Sequence, residues 1–285
     1  MYELNDVPGK GKGLVAAERI VKGTRLLSEA PVFRVPRDNS NIKTLEAIVE
    51  TELKRLTVGQ KTAFFDLTNI YGDAHSNSLG IARTNALPLE GSNKASSGLF
   101  LEASRINHSC RHNAQNTWNE NIGELTIHAL RDIDAGQEIT ISYLAGTSDF
   151  AERQLRLKET FKFTCKCELC SLPLAKRQLS DDRLTKIQGI DKFIGSFFWN
   201  GGNPVAALNI LRIMFDLFEE EGIWDGRIAR AYKDAFEIAM GKNDSPRARV
   251  FATRAYEARC LIEGEDSPTT IKMKLLTLFS FDSPG

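Results

Sequence analysis

Cysteine is scarce in this 285-residue chain, and neither sign of charge is in surplus. Lysine plus arginine number 37 and aspartate plus glutamate number 37, so the net charge is zero. A protein that coats nucleic acid carries a basic surplus, although a local patch survives such an average. Long apolar runs are missing too. The most apolar stretch, 206–218, is broken by Arg212 and Asp216 and is too short and too charged to span a bilayer. The opening, Met1-Tyr2-Glu3-Leu4-Asn5-Asp6, has neither a basic segment nor an apolar run, so no signal peptide is expected. Five cysteines, an odd number, fit a reducing compartment, cytoplasm or nucleus, better than a disulfide framework. The length suffices for two domains or one large one.

Four of those five cysteines lie in two places. One is in Arg105-Ile106-Asn107-His108-Ser109-Cys110. The others form Cys165-Lys166-Cys167-Glu168-Leu169-Cys170. Three thiols at C-x-C-x-x-C, with a fourth reachable only through the fold, match a closed structural zinc site. Such a metal would tie a C-terminal flap back onto the loop carrying Asn107 and His108. A closed site has no open coordination position, so no catalytic zinc is expected.

Residues 1–35 read as a glycine-rich loop, with Gly9, Gly11 and Gly13 alternating with Lys10 and Lys12, followed by short strands at 14–17 and 25–28. The loop is either a flexible turn or a place where backbone N–H groups meet a ligand. No strand pattern precedes the glycines and no helical one follows, which disfavours a dinucleotide fingerprint. Leu45, Ile48, Val49, Leu53 and Leu56 recur at helical spacing, and Thr57 is placed to cap a second helix running through Ile70. From 80 to 100 the pattern dissolves into Asn85-Ala86-Leu87-Pro88 and a Gly/Ser-rich loop, Gly91 to Gly98. Residues 99–103 suit either a strand or the start of a helix. Strand alternation returns at Leu125, Ile127 and Ala129, and again at Ile139, Ile141 and Tyr143 after a turn at Asp134-Ala135-Gly136. Tyr143 thus shares a face with two apolar residues, the pattern of a core tyrosine with its hydroxyl satisfied nearby.

A helix is expected over 149–160, leading to the cysteine flap. Beyond Ser171 no strand pattern follows. Three amphipathic helices are expected, marked by Val205 to Phe218, Ile228 to Ile238 and Phe251 to Ile262, the last starting at Ser245-Pro246. Small inner-face residues suggest close antiparallel packing of the TPR-like kind. Cys260 reads as a buried, inert thiol on the last of these helices.

Taken together, Asn107-His108-Ser109-Cys110, Ala135 to Tyr143 and the Cys165/Cys167/Cys170 triplet resemble a SET domain with its post-SET segment. The opening at Gly9 to Leu14 resembles that family's cofactor loop. The likeness covers roughly residues 5–170 and is greatest to the SET-and-MYND branch and its fungal relatives. No second cysteine/histidine cluster occurs in 36–100, so the MYND finger is absent. The implied fold is α+β: a β-rich SET domain (1–148) with a helical insert (36–85), a zinc-bearing post-SET segment (149–172) and an all-helical C-terminal domain (173–285).

The implied activity is protein-lysine N-methyl transfer from S-adenosylmethionine. By the same resemblance, Lys10, Gly11 and Lys12 would line the cofactor through their backbone. Asn107 and His108 would contact the adenosine part, Asn85 would lie near the cofactor, and Phe163 would stack on the adenine. Cys110 would join Cys165, Cys167 and Cys170 on one zinc. Tyr143 corresponds to the tyrosine beside the transferring methyl group. His112 reads as a surface residue. Phe161 stands where many members have a second tyrosine beside the lysine channel. The implied partner is a protein bearing a target lysine, with no membrane or nucleic acid, met by a monomer. A catalytically silent scaffold that binds partners through its C-terminal helices is the alternative. Nothing in the sequence names the substrate.

Overall fold

The computed structural model describes residues 1–36, 41–89, 96–144, 146, 149–200 and 202–278. Part of the expected Gly91 to Gly98 loop therefore lies outside the described residues, as does position 148. The strands among them all precede residue 142. They are β1 Tyr2–Val7, β2 Gly11–Ala16, β3 Arg25–Glu29, β4 Phe33–Pro36, β5 Leu87–Leu89, β6 Ser96–Leu99, β7 Asn107–His108, β8 Ala114–Asn119, β9 Glu124–Ala129 and β10 Thr140–Ile141. They form four small sheets: the hairpin β1-β2, and the orders β3-β9-β8, β4-β6-β5 and β10-β7.

A strand does precede the glycines. β1 pairs with β2 in register from Tyr2↔Ala16 to Val7↔Gly11, and the glycines turn between them. Its residues are mostly exposed, so the strand has no inward face to write an alternating pattern. Gly9 and Gly11 hold φ near +72° and +75°, a region that suits glycine, and so permit this tight turn.

Helices α1 Ile42–Arg55, α2 Val58–Phe65 and α3 Asn77–Asn85 follow β4 and pack on the β4-β6-β5 sheet. α1 buries Leu45, Val49 and Leu53 as its spacing predicts. Thr57 caps α2 in a reciprocal capping box with Gln60. α2 ends at Phe65 rather than continuing through Ile70, because Asp66 closes it and is held by Lys12 and Arg105. α3 was not legible. Six of its nine residues are buried, so it lacks the polar face that marks an amphipathic helix.

The expected strand through Tyr143 is shorter than its pattern: β10 ends at Ile141. It runs parallel to β7, with Thr140 opposite Asn107 and Ile141 opposite His108. Asn113 clamps it from the other side. Its side chain accepts from Thr140 N–H at 2.8 Å and donates to the Glu138 carbonyl at 2.9 Å.

The rest is helical: α4 Phe150–Phe161, α5 Leu174–Asn200, α6 Pro204–Glu221, α7 Gly226–Met240, α8 Ser245–Glu263 and α9 Pro268–Leu278. α6, α7 and α8 are the three expected; α5 and α9 flank them. Cys260 is half-buried rather than buried, and α9 follows its helix. No helix among the described residues is long and apolar enough to cross a membrane.

The helical half has no core of its own at its inner end. Leu184, Ile187, Leu211 and Phe218 of α5 and α6 share one apolar cluster with Cys165, Cys167 and Cys170. Farther out, α7 and α8 approach through alanines: Ala239, Ala248 and Ala252 are buried with Phe236 between them. Leucine has no room at such a contact. Ala252→Leu is expected to destabilise the fold by about 1–3 kcal/mol, read as a lower unfolding midpoint in denaturant, whereas Val250→Ala on the exposed face should barely move it. Equal midpoints would show that α8 is not packed in this register.

Candidate active site and metal centre

α4 begins on Asp149, whose side chain accepts the Glu152 N–H at 2.8 Å. It ends where Lys162 takes a left-handed conformation, φ 61°, which turns the chain toward the cysteines. Gln154 fixes the first of them, accepting from Cys165 N–H at 3.0 Å and donating to its carbonyl at 2.9 Å. Cys110 meets this flap across the fold, 4.0 Å from the Cys165 sulfur and 3.6 Å from that of Cys170. All four sulfurs lie within 4.8 Å of one another. Zinc–thiolate bonds of about 2.3 Å in a tetrahedron set sulfurs about 3.8 Å apart. The cluster therefore fits a zinc ion by both donor type and spacing. Without a metal the crowded thiols shift in opposite directions: contacts with Cys165 push Cys110 above the ordinary thiol range, and contacts with Cys110 hold Cys165 and Cys167 below it. A divalent cation would displace the thiol protons and pair with the resulting thiolates.

Next to Cys110, His108 is buried with both ring nitrogens engaged. Tyr143 N–H donates to its Nδ1 at 3.0 Å. Nδ1 is thus the bare nitrogen, and Nε2 carries the hydrogen that faces the Cys110 sulfur at 3.3 Å. The Tyr143 hydroxyl donates to the Ile106 carbonyl at 2.8 Å. Burial, and then the charge of Glu138, push its phenol above the usual range, so it remains an O–H at neutral pH. Phe161 lies 5.0 Å from the Tyr143 ring, centre to centre. Phe163 stands edge-on to Tyr143 at 6.5 Å and lies 6.1 Å from His108. The result is an aromatic enclosure around one hydroxyl.

This enclosure opens into a cleft of about 1190 Å³. Lys10, Asn85, Asn107, His108, Tyr143 and Phe163 all line it, and so do Phe161 and Cys110. Asp225, Arg227 and Glu263 of the C-terminal helices form part of its far wall. Gly11 and Lys12 are not on its lining; Gly11 pairs with Val7 in the hairpin, and the Lys12 ammonium turns to Asp66 at 2.8 Å. Asn85 spends its amide on the Thr68 and Ile81 carbonyls, both at 2.7 Å.

Glu138 is the residue that sequence reasoning missed. Its carboxylate accepts from Lys10 Nζ at 2.5 Å and from Asn107 Nδ2 at 2.9 Å. Asn107 donates also to the Lys12 carbonyl at 3.1 Å. Glu138 so binds the hairpin tip to the Asn107-His108 strand. The available signal was a lone carboxylate directly before the alternating Ile139, Ile141. His112 is not a surface residue: its side chain is only 9% exposed, with Nε2 3.6 Å from Asp225, and burial lowers its pKa to about 4. The contact with Asp225, 113 residues away, is one that composition alone does not foretell.

A SET-domain family profile matches residues 11–144. The histone-lysine N-methyltransferase set5 of Schizosaccharomyces pombe is 34% identical over 274 residues, which span 96% of this chain and 82% of that protein. The human protein-lysine N-trimethyltransferase SMYD5 is 42% identical over 122 residues, 42% of this chain but 26% of its own length. The Meyerozyma guilliermondii histone-lysine N-methyltransferase SET5 is 38% identical over 80 residues, 27% of this chain and 17% of that one. A crystal structure of the SET domain of LSMT bound to lysine and AdoHcy gives a TM-score of 0.32 at 14% identity, over 97% of this chain and 88% of that one, too slight a likeness to define any detail here. The chain belongs to the SET-domain family of protein-lysine methyltransferases.

Gly13 lies behind this cleft. A Cβ there would stand 2.6 Å from Asn107 Nδ2 and 3.1 Å from the Glu138 carboxylate. Gly13→Ala is therefore expected to displace Asn107 and weaken S-adenosylmethionine binding about tenfold, or about 1.4 kcal/mol, by calorimetry. Unchanged affinity would separate Asn107 from the cofactor.

Proposed function

We propose that this protein methylates a lysine ε-amine of a protein substrate, with Tyr143 beside the transferring methyl group and the cleft holding S-adenosylmethionine. The observation that carries this reading is the buried Tyr143 hydroxyl, oriented by the Ile106 carbonyl and enclosed by Phe161 and Phe163. In it, Lys10, Asn85, Asn107 and His108 border the cofactor, Phe163 stacks on its adenine, and Gly11 and Lys12 act through the hairpin backbone. Cys110, Cys165, Cys167 and Cys170 hold a structural zinc. S-adenosylmethionine supplies an electrophilic methyl on a sulfonium.

The chain's own residues supply geometry and exclusion of water. An ammonium cannot attack, so the lysine must arrive as the free amine, having lost its proton to water before the channel closes. A phenol pushed up by burial is no base at neutral pH. With its hydrogen committed to Ile106, the hydroxyl keeps lone pairs that can accept from the amine or from the polarised methyl. Holding amine, methyl and sulfur in line then supplies most of the acceleration.

Histones are the first substrate class to try, since the S. pombe relative is named a histone-lysine methyltransferase. The balanced charge speaks against a nucleic-acid partner, the odd, clustered cysteines suit the cytoplasm or nucleus, and we take the protein to act as a monomer.

Labelled S-adenosylmethionine supplied with histones, and separately with cell extract, should give labelled protein bands that Tyr143→Phe diminishes at least tenfold, about 1.4 kcal/mol in barrier. Cofactor binding without transfer to any protein would instead favour a silent scaffold. Phe161→Tyr restores a hydroxyl beside the channel that can hold water or the amine. It is expected to shift products toward lower methylation states by mass spectrometry. An unchanged mono-, di- and trimethyl distribution would count against Phe161 as a channel residue.

A further inference from the structure

Glu138 lies just before β10, with a side chain only 17% exposed, and its two carboxylate oxygens serve two different elements. Oε2 accepts from Lys10 Nζ, at the tip of the β1-β2 hairpin, at 2.5 Å. Oε1 accepts from Asn107 Nδ2, on β7, at 2.9 Å. The same Nδ2 donates to the Lys12 carbonyl at 3.1 Å, so both amide hydrogens are committed. Flipped about, the amide would set its oxygen against a carboxylate and a carbonyl, two acceptors. The network therefore leaves Asn107, a residue of the cleft lining, one group to offer a ligand: its acceptor oxygen. The base of the hairpin is held by main-chain bonds, Ile139 N–H to the Leu14 carbonyl at 2.8 Å and Ala16 N–H to the Gln137 carbonyl at 2.9 Å. Its tip, where Pro8, Gly9 and Lys10 line the cleft, is reached by side chains. Lys12 pairs with Asp66 where both are exposed, and such pairs hold little. Lys10 is better placed, because its ammonium meets the shielded Glu138 carboxylate and also donates to the His108 carbonyl at 3.4 Å.

We propose that Glu138 is a positioning residue for the cofactor: it fixes the Asn107 amide with its oxygen as the group on offer, and through Lys10 it straps the hairpin tip to the cleft. The inference rests on the reading that this cleft holds S-adenosylmethionine. It gives the Lys10 side chain a task separate from any backbone contact. A carboxylate suits the place because it accepts from an amide and an ammonium at once, and hydrogen bonds with charged partners are the stronger kind. An amide at position 138 would still accept from Asn107 through its oxygen. Its NH₂ group, however, would face an ammonium that has no acceptor. Glutamine therefore loosens Lys10 alone, whereas alanine releases Lys10 and Asn107 together. Without the clamp, binding would have to order the amide and the tip itself, and affinity falls by what that ordering costs.

Calorimetric titration of the full chain with S-adenosylmethionine, beside unfolding in denaturant, tests this. Glu138→Ala should weaken binding about tenfold or more, and Glu138→Gln and Lys10→Met about threefold each. Lys10→Arg, which keeps a cation within reach of the carboxylate, should stay near wild type. Because Lys10 acts through Glu138, adding Lys10→Met to Glu138→Ala should cost nothing further. A residue that only supports the fold would lower the unfolding midpoint and leave the affinity of the folded chain intact, and that outcome would overturn the inference. Fully additive losses, or Lys10→Arg binding as weakly as Lys10→Met, would overturn it as well. Should Glu138→Ala fail to fold, Glu138→Gln and the two Lys10 variants carry the test, and wild-type affinity in both Glu138→Gln and Lys10→Met would overturn it. Wild type that binds no S-adenosylmethionine would overturn the cofactor reading and this inference together. Wild type that binds, with every variant matching it, would overturn the inference alone.

Discussion

The closure of four sulfurs around one point is the constraint on which the other features of the site depend. Cys110 is 55 residues ahead of Cys165, so the contact costs loop-closure entropy that no local element offsets. A bound metal would offset it, and the consequence would be positional. Cys110 is two residues beyond the β7 strand, and Cys165 is two residues beyond Phe163 and four beyond Phe161. Bringing the sulfurs together therefore brings the aromatic wall to Tyr143. His108 completes the linkage, because it bonds the Cys110 sulfur with one nitrogen and the Tyr143 backbone with the other. Tyr143 itself is packed against both the strand core and the core shared by the cysteines and helices.

The C-terminal helices are fastened to this framework at two ends. Glu221, at the end of α6, is almost wholly buried and accepts from Ser180 at 2.6 Å, Arg183 at 2.6 Å and Arg111 at 3.1 Å. A carboxylate that deep is tolerable only with such partners. Arg111 is the residue after Cys110, so the helices grip the zinc loop itself. At the other end Arg25 of β3 pairs with Asp266, and Asn121 donates to the Asp266 carbonyl at 2.8 Å. The cleft lies between these two anchors, with helical residues forming part of its wall. Helices and strands are mechanically one body around the site, although the chain writes them as separate halves.

The sequence was most legible where chemistry demands fixed residue types at fixed spacings. Zinc needs thiolates, so Cys110 and the C-x-C-x-x-C triplet stand out from any background. Tyr143 and Asn107-His108 took on roles only through the resemblance of their motifs to the SET family. Legibility fell wherever burial came from partners distant in the chain. α3 is covered on most sides and β1 on neither, so both lack the contrast between faces that reveals an element. His112 was assigned to the surface because the chemistry needs no catalytic histidine, yet it is buried beside Asp225. Glu138 acts through Lys10 and Asn107, which are 128 and 31 residues away, and no local pattern records such a convergence.

Why a tyrosine should stand at this point follows from charge. A lysine ammonium entering an apolar channel would lose its hydration without gaining a counter-ion, so the enclosure selects the neutral amine. A carboxylate beside it would stabilise the ammonium and hold the nucleophile protonated. A neutral hydroxyl does neither. Its pKa is pushed up by burial, its hydrogen is taken by Ile106, and its oxygen keeps lone pairs of partial negative charge. Glu138, whose charge adds to that shift, has its carboxylate turned to Lys10 and Asn107. On the proposed reading, the Glu138 carboxylate stays paired with Lys10 and Asn107 and only the Tyr143 dipole would face the point of transfer, a distribution that suits in-line displacement by an uncharged amine.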